Sequence, residues 1–104
     1  MDKGTDSMGK LVRDKIPEII RASGRTPVVR RLDDQSYLGA LHDKLLEEAA
    51  ELRDAARANQ LIEEAADVLE VLIGMATLHG HTLDDIVCVA AEKRTERGGF
   101  EDRL

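Results

Sequence analysis

Apolar and polar positions alternate along this chain at helical intervals, and the breaks between the runs are marked by proline and glycine. The stretch DKIPEIIRASG predicts a short helix with Pro17 in its first turn and Gly24 as the stop signal. TPVVRRL follows as a short β-like or extended connector. From about Asp34 to Arg57 the pattern predicts a long helix with Leu38, Leu41, Leu45 and Leu52 on one stripe, broken by ANQ. Asn59 suits the cap of a second long helix that runs to His79 and stops at Gly80. Thr82 with Asp85 has the form of a capping box opening a last helix, which ends at Gly98 and Gly99. The prediction is an all-α fold: a helical bundle built on two long central antiparallel helices. Residues 1–9, MDKGTDSMG, show no periodicity and read as a disordered or tag-like N-terminus, leaving residues 10–104 as a single domain.

A closer look at the two long helices finds acids where apolar residues belong. LLEEAAEL at residues 45–52 returns as LIEEAADV at 61–68. On a wheel of about 100° per residue with Leu61 at zero, Glu64 falls near 300°, between Val71 near 280° and Met75 near 320°. Asp67 stands one turn on at the border of that face, whereas Glu63 and Glu70 fall on the narrow polar strip. The apolar residues of this helix cover roughly two thirds of its circumference, which makes it central rather than peripheral. In the preceding helix Leu41, Leu45, Glu48, Leu52 and Ala55 follow spacings of four and three, so Glu48 interrupts a leucine stripe with Glu51 on its flank. Glu47 and Asp54 face more toward solvent.

If the two helices pack antiparallel through these stripes, Glu48, Glu51, Glu64 and Asp67 converge. A lone ionised carboxylate in an apolar setting costs several kcal/mol, so a converging set calls for a cation. Oxygen ligands favour a hard ion, Mg²⁺ or Mn²⁺; a di-iron bundle would carry Glu-x-x-His pairs, and neither position 51 nor position 67 is histidine. Four carboxylates exceed the charge of one divalent ion and leave capacity for ions arriving with a phosphorylated substrate. The competing readings are a solvated acidic face and a non-enzymatic helical oligomer, an adaptor or regulator, in which the acids form interhelical ion pairs. Lys44, Arg53 and Arg57 are the only bases in the two acidic segments, too few to pair a buried cluster.

Composition narrows the partners. With 15 Lys+Arg against 21 Asp+Glu, the formal charge of −6 repels a nucleic acid polymer. No apolar run reaches the length of about 20 residues that a membrane span needs, and no signal-peptide pattern is present, so a cytoplasmic protein is expected. Cys88 cannot form an internal disulfide and is expected as a buried, inert thiol. A chain of 104 residues buries a modest fraction of its surface, which favours oligomerisation.

EEAAE at 47–51 with EEAAD at 63–67 resembles the EExxE…ExxD signature of the MazG-like all-α nucleoside triphosphate pyrophosphohydrolases, relatives of phosphoribosyl-ATP pyrophosphohydrolase. The opening KLVRDKIPEII and the closing KRTERGGFEDRL are similar to the two ends of a small subgroup of that superfamily, so the likeness spans residues 10–104. It implies a bundle completed by assembly as a homodimer or homotetramer. It also implies Glu48, Glu51, Glu64 and Asp67 as Mg²⁺ ligands, and hydrolysis of a nucleoside triphosphate between the α and β phosphates, with phosphoribosyl-ATP as the alternative substrate. Glu47 or Glu51 would accept the proton of the attacking water. Lys93 and Arg97 continue the face of Ile86 and Ala90 and fit either a phosphate clamp or compensation of the helix dipole. Arg13 and Lys15, in RDK, are candidate phosphate contacts or solvated charges. Phe100, in GGF, is expected to pack down, over the nucleotide in the functional reading. His79 and His81 are read as helix-end residues rather than ligands. Tyr37 and Phe100 are the only aromatic residues, whereas relatives often hold the base with aromatic rings.

Overall fold

The computed structural model describes residues 10–104, and the tag-like reading of 1–9 lies outside them. The described residues form four α-helices and no strand: α1 (Ile16–Ala22), α2 (Asp34–Arg53), α3 (Ala58–Leu78) and α4 (Leu83–Arg97). The chain divides into two compact units, Met1–Leu46 and Glu47–Leu104, with the boundary inside α2.

In the first unit, Pro17 occupies the first turn of α1, where its missing N–H costs no helical bond. The helix stops in a Schellman arrangement: the Gly24 N–H donates to Arg21 O at 3.0 Å and the Arg25 N–H to Ile20 O at 3.3 Å. Gly24 sits at φ +89°, a left-handed conformation that a side chain would strain. Residues 25–33 have no regular structure, so TPVVRRL is a connector and not a strand. Asp33 opens α2, its carboxylate accepting the Ser36 N–H at 2.8 Å. That bond holds the Asp33 carboxyl below its usual range, with Arg30 adding in the same direction. Leu41, 3% exposed, is the best-buried apolar residue of this unit.

The second unit starts with the last two turns of α2. The helix ends at Arg53 rather than the expected Arg57. The Asp54 N–H still reaches Ala50 O at 3.1 Å and the Ala55 N–H reaches Leu52 O at 3.2 Å, but the Ala56 N–H turns away to Gln60 Oε1 at 3.3 Å. Once that donor leaves the ladder the helix cannot continue. Arg57 then takes an extended conformation and caps α3 through its backbone, with no side-chain bond. Asn59 is therefore not the cap but lies within the first turn of α3, and Gln60 braces the reversal instead.

Val71 is the buried centre of α3, flanked by half-buried Ala65, Val68, Leu72, Ile73, Met75, Ala76 and Leu78. A second Schellman arrangement closes α3, with the Gly80 N–H on Thr77 O at 3.0 Å and the His81 N–H on Ala76 O at 2.8 Å. The predicted capping box of α4 is present in full: Thr82 Oγ1 accepts the Asp85 N–H at 3.2 Å and Asp85 Oδ2 accepts the Thr82 N–H at 3.0 Å. α4 packs against α3. Leu83 and Ile86 are half-buried, whereas Cys88 is exposed, contrary to the expectation of a buried thiol. The contact with α3 covers only the first turns of α4, and Val87 and Val89 on either side of Cys88 are 55% and 49% exposed. No helix among the described residues is long and apolar enough to cross a membrane.

Candidate metal centre

The reversal at residues 54–57 folds the last turns of α2 back toward the first turns of α3, and three carboxylates meet there. Glu48, Glu51 and Glu64 each present an oxygen within 4.8 Å of the others. The leucine-stripe argument places Glu48 correctly, because it is 7% exposed while its neighbours Ala49 and Leu46 are exposed. Glu64 and Asp67 are half-buried and Glu63 and Glu70 are exposed, as the helical wheel requires. Glu47 is half-buried, further inside than the solvent-facing position expected of it.

Glu64 holds its proton more tightly than an ordinary glutamate. Desolvation is the main cause; the negative charges of Glu51 and Asp67, a hydrogen bond with the Asp67 side chain, and the charge of Glu48 follow. Asp67, the fourth predicted ligand, is not among the three whose oxygens meet; it stands one turn further along α3, where its charge acts on Glu64. A group whose charged neighbours are all acids is stabilised in its ionised form by a cation.

The oxygens suit such an ion. In octahedral coordination at about 2.1 Å, adjacent ligand oxygens lie about 3 Å apart and opposite ones about 4.2 Å, both below the 4.8 Å within which these three oxygens lie of one another. The donor set is hard oxygen throughout, with one buried member to fix its direction and one exposed member to leave a side open.

The remaining predicted residues lie elsewhere on the chain. Lys93 and Arg97 are exposed on the last turns of α4, where Arg97 Nε approaches Glu96 at 3.7 Å. Phe100 is 96% exposed and does not pack down onto its own chain: Gly98, at φ +82°, turns the tail off the helix axis, and the exposed Arg94–Glu101 ion pair at 3.3 Å spans the turn. Arg13 and Lys15 are exposed on the turn that leads into α1, in the first unit. His79 Nδ1 bonds with Met75 O at 3.0 Å and His81 Nδ1 with Asp85 Oδ2 at 3.2 Å, so both histidines serve helix ends. Sequence reasoning missed Gln60, whose bond to Ala56 shapes the reversal that carries Glu51 to Glu64. A glutamine three residues into a helix is the signal that would have found it.

An all-α chain that gathers carboxylates from two helices across a tight reversal has a donor set of hard oxygens that a divalent cation can take. Residues 10–94 match the family described as phosphoribosyl-ATP pyrophosphohydrolase, and the chain belongs to that family, within the MazG-like all-α pyrophosphohydrolase superfamily. It is also similar to an uncharacterized protein of Mycolicibacterium smegmatis, with 67% identity over 48 residues, 46% of this chain and 49% of the relative. The chain thus spans about half the length of that curated relative. No solved structure matches.

Proposed function

We propose that residues 10–104 act as one catalytic domain that hydrolyses a nucleoside triphosphate between the α and β phosphates, releasing nucleoside monophosphate and pyrophosphate. The convergence of Glu48, Glu51 and Glu64 within 4.8 Å carries this reading. The family match supports it and runs through both compact units. Glu48, Glu51, Glu64 and Asp67 would hold Mg²⁺ or Mn²⁺. A divalent ion held there would neutralise phosphate oxygens and lower the pKa of a water molecule.

The chain's own groups do the rest. Glu51, the exposed member of the cluster, or Glu47 beside it accepts the proton as the water oxygen bonds to phosphorus and the bridging P–O bond breaks. Lys93 and Arg97 supply charge-assisted contacts to the polyphosphate tail, and Phe100 offers its exposed ring to the base. The site works in the cytoplasm on nucleotide pools, in a homodimer or homotetramer that covers the exposed Leu61, Ile62 and Leu69 of α3. Phosphoribosyl-ATP is the second substrate to test, because the family description names it. Family membership weighs against the adaptor reading.

A panel of canonical and modified nucleoside triphosphates together with phosphoribosyl-ATP, incubated with Mg²⁺ and scored for pyrophosphate against orthophosphate, tests the proposal. Pyrophosphate release from at least one triphosphate is expected. Orthophosphate alone, or no product across the panel, would refute it.

A further inference from the structure

The stretch TPVVRRL, residues 26–32, has the composition of a strand in a chain whose described residues form none. Thr26, Val28 and Val29 are β-branched, and Pro27 pushes Thr26 away from helical backbone angles. Among the described residues no hydrogen bond engages the backbone of residues 26–32. Val28 is 98% exposed and Val29 53%, so two large apolar side chains stand beside an open row of donors and acceptors. Such an edge takes up another strand.

The charges say which strand fits. Arg25 stands at one end of the stretch and Asp33 at the other, with Arg30 and Arg31 between them. An antiparallel copy centred on Val29 sets Val29 against Val29 of the second copy, Val28 against Arg30, Pro27 against Arg31, Thr26 against Leu32 and Arg25 against Asp33. Both ends then carry an opposite-charge pair, and no two like charges stand directly opposite. Moving the centre to Val28 would instead set Arg25 against Arg31 at both ends. Asp33 gives one oxygen to the Ser36 N–H, which leaves the other for an arginine.

Pro27 agrees with the same register. With Val29 as a non-hydrogen-bonded pair, residues 26, 28, 30 and 32 turn their N–H and C=O groups toward the second strand and form about eight backbone bonds. Pro27 faces outward. Its missing N–H costs no bond there and discourages a third strand.

We propose that residues 25–33 form a two-stranded antiparallel ribbon with the same residues of a second copy, centred on Val29. A two-fold axis through Val29 makes the contact self-complementary. A two-stranded ribbon is marginal by itself, and Val12 and Ile19 of the same unit, 44% and 60% exposed, are apolar area that a second copy can cover. The pairing is independent of the catalytic reading and holds whatever the substrate.

Cysteine cross-linking reads the register. In a Cys88→Ser background, Val29→Cys is expected to give a covalent dimer under mild oxidation, because non-hydrogen-bonded partners stand about 4.5 Å apart at Cα, within disulfide reach. Val28→Cys, although more exposed, should cross-link about tenfold more slowly, since its counterpart lies diagonally, about 7–8 Å away. Equal rates at the two positions, or faster cross-linking at Val28, would overturn the pairing. Amide hydrogen exchange on the unmodified protein gives a second reading. The N–H groups of Thr26, Val28, Arg30 and Leu32 should exchange about tenfold or more slowly than those of Val29 and Arg31. Uniformly fast exchange would overturn the ribbon and leave the edge to a strand of a different protein. Protection that persists in a chain shown to be monomeric by light scattering would also overturn it, because the cover would then come from the chain itself.

Discussion

α3 and α4 follow one another across four residues and both carry charges beside an apolar face, yet they use those charges in opposite ways. On α3 the acids that share a face with Val71 are drawn out of water and toward one another, to the point that Glu64 resists ionisation. On α4 the charges from Glu92 onward remain in water, where ion pairs such as Arg94–Glu101 at 3.3 Å contribute little. Residue type does not separate the two helices; cover does. A carboxylate acquires unusual chemistry when a neighbouring element takes away its solvent; the end of α2 brings its acids to those of α3, whereas among the described residues no element covers the end of α4.

The sharpest way to break this contrast is to remove the charge at its centre. Glu64→Gln should take pyrophosphate release to background, while Glu63→Gln, one residue away and exposed, leaves the rate unchanged. Equal losses from both would show that the face of α3 has been misplaced. In the metal-free protein Glu64→Gln should raise the melting temperature, because it removes one of several repelling charges.

Truncation in the apolar layer should come next. Val71→Ala is expected to cost about 2 kcal/mol in denaturant melts, since it removes buried methyl groups and leaves a cavity. Val89→Ala on the open face of α4 should cost less than about 0.5 kcal/mol in a dilute monomer and more only where oligomers form. A larger loss for Val89 in the monomer would mean that α4 is covered by its own chain.

Lys93→Ala and Arg97→Ala should each lower kcat/KM roughly tenfold, through lost charge-assisted contacts, without weakening Mg²⁺ binding measured by calorimetry. If these cations only offset the dipole of α4, the kinetics stay unchanged and up to about 1 kcal/mol of stability is lost.

Acidity provides a graded test. Because the Glu64 carboxyl is raised in the folded chain, the metal-free protein gains relative stability on acidification and loses it as pH climbs through the raised value. Metal binding runs the other way, because the ion must displace that proton, so Mg²⁺ affinity should fall as pH drops through the same range. Thermal melts at stepped pH with and without Mg²⁺ would show slopes of opposite sign; parallel slopes would remove Glu64 from the ligand set.

The smallest expected effect lies at the joint between the helices. Thr82→Ala removes half of the capping box and should cost about 1 kcal/mol, with turnover intact.

Much of this was legible in the residues because local chemistry specifies it. The start of α4 could be read from Thr82 and Asp85, the ends of α1 and α3 from Gly24 and Gly80, and the inward acids from the stripes on α2 and α3. Other features, such as the end of α2 and the exposure of Cys88 and Phe100, were not legible, each for a physical reason. The end of α2 depends on where one N–H, that of Ala56, finds its acceptor, and periodicity does not record that competition. Cys88 has apolar neighbours, but its exposure depends on how far α4 stays against α3. Phe100 has the composition of a packed residue, but the backbone at Gly98 sends it outward.

The reversal between Arg53 and Ala58 also sets a rule for how relatives of this chain can differ in length. Glu51 and Glu64 stand on opposite sides of it, and their meeting depends on the angular phase of α3 at its seventh residue. One residue inserted within that stretch of helix would advance Glu64 by about 100° and aim it at solvent, while a whole number of turns, such as seven residues, would nearly restore its direction but shift it about 10 Å along the axis. Neither preserves the cluster. Length variation in functional descendants should therefore stay out of the helical stretches Glu51–Arg53 and Ala58–Glu64 and accumulate in irregular residues such as 25–33 and the tail.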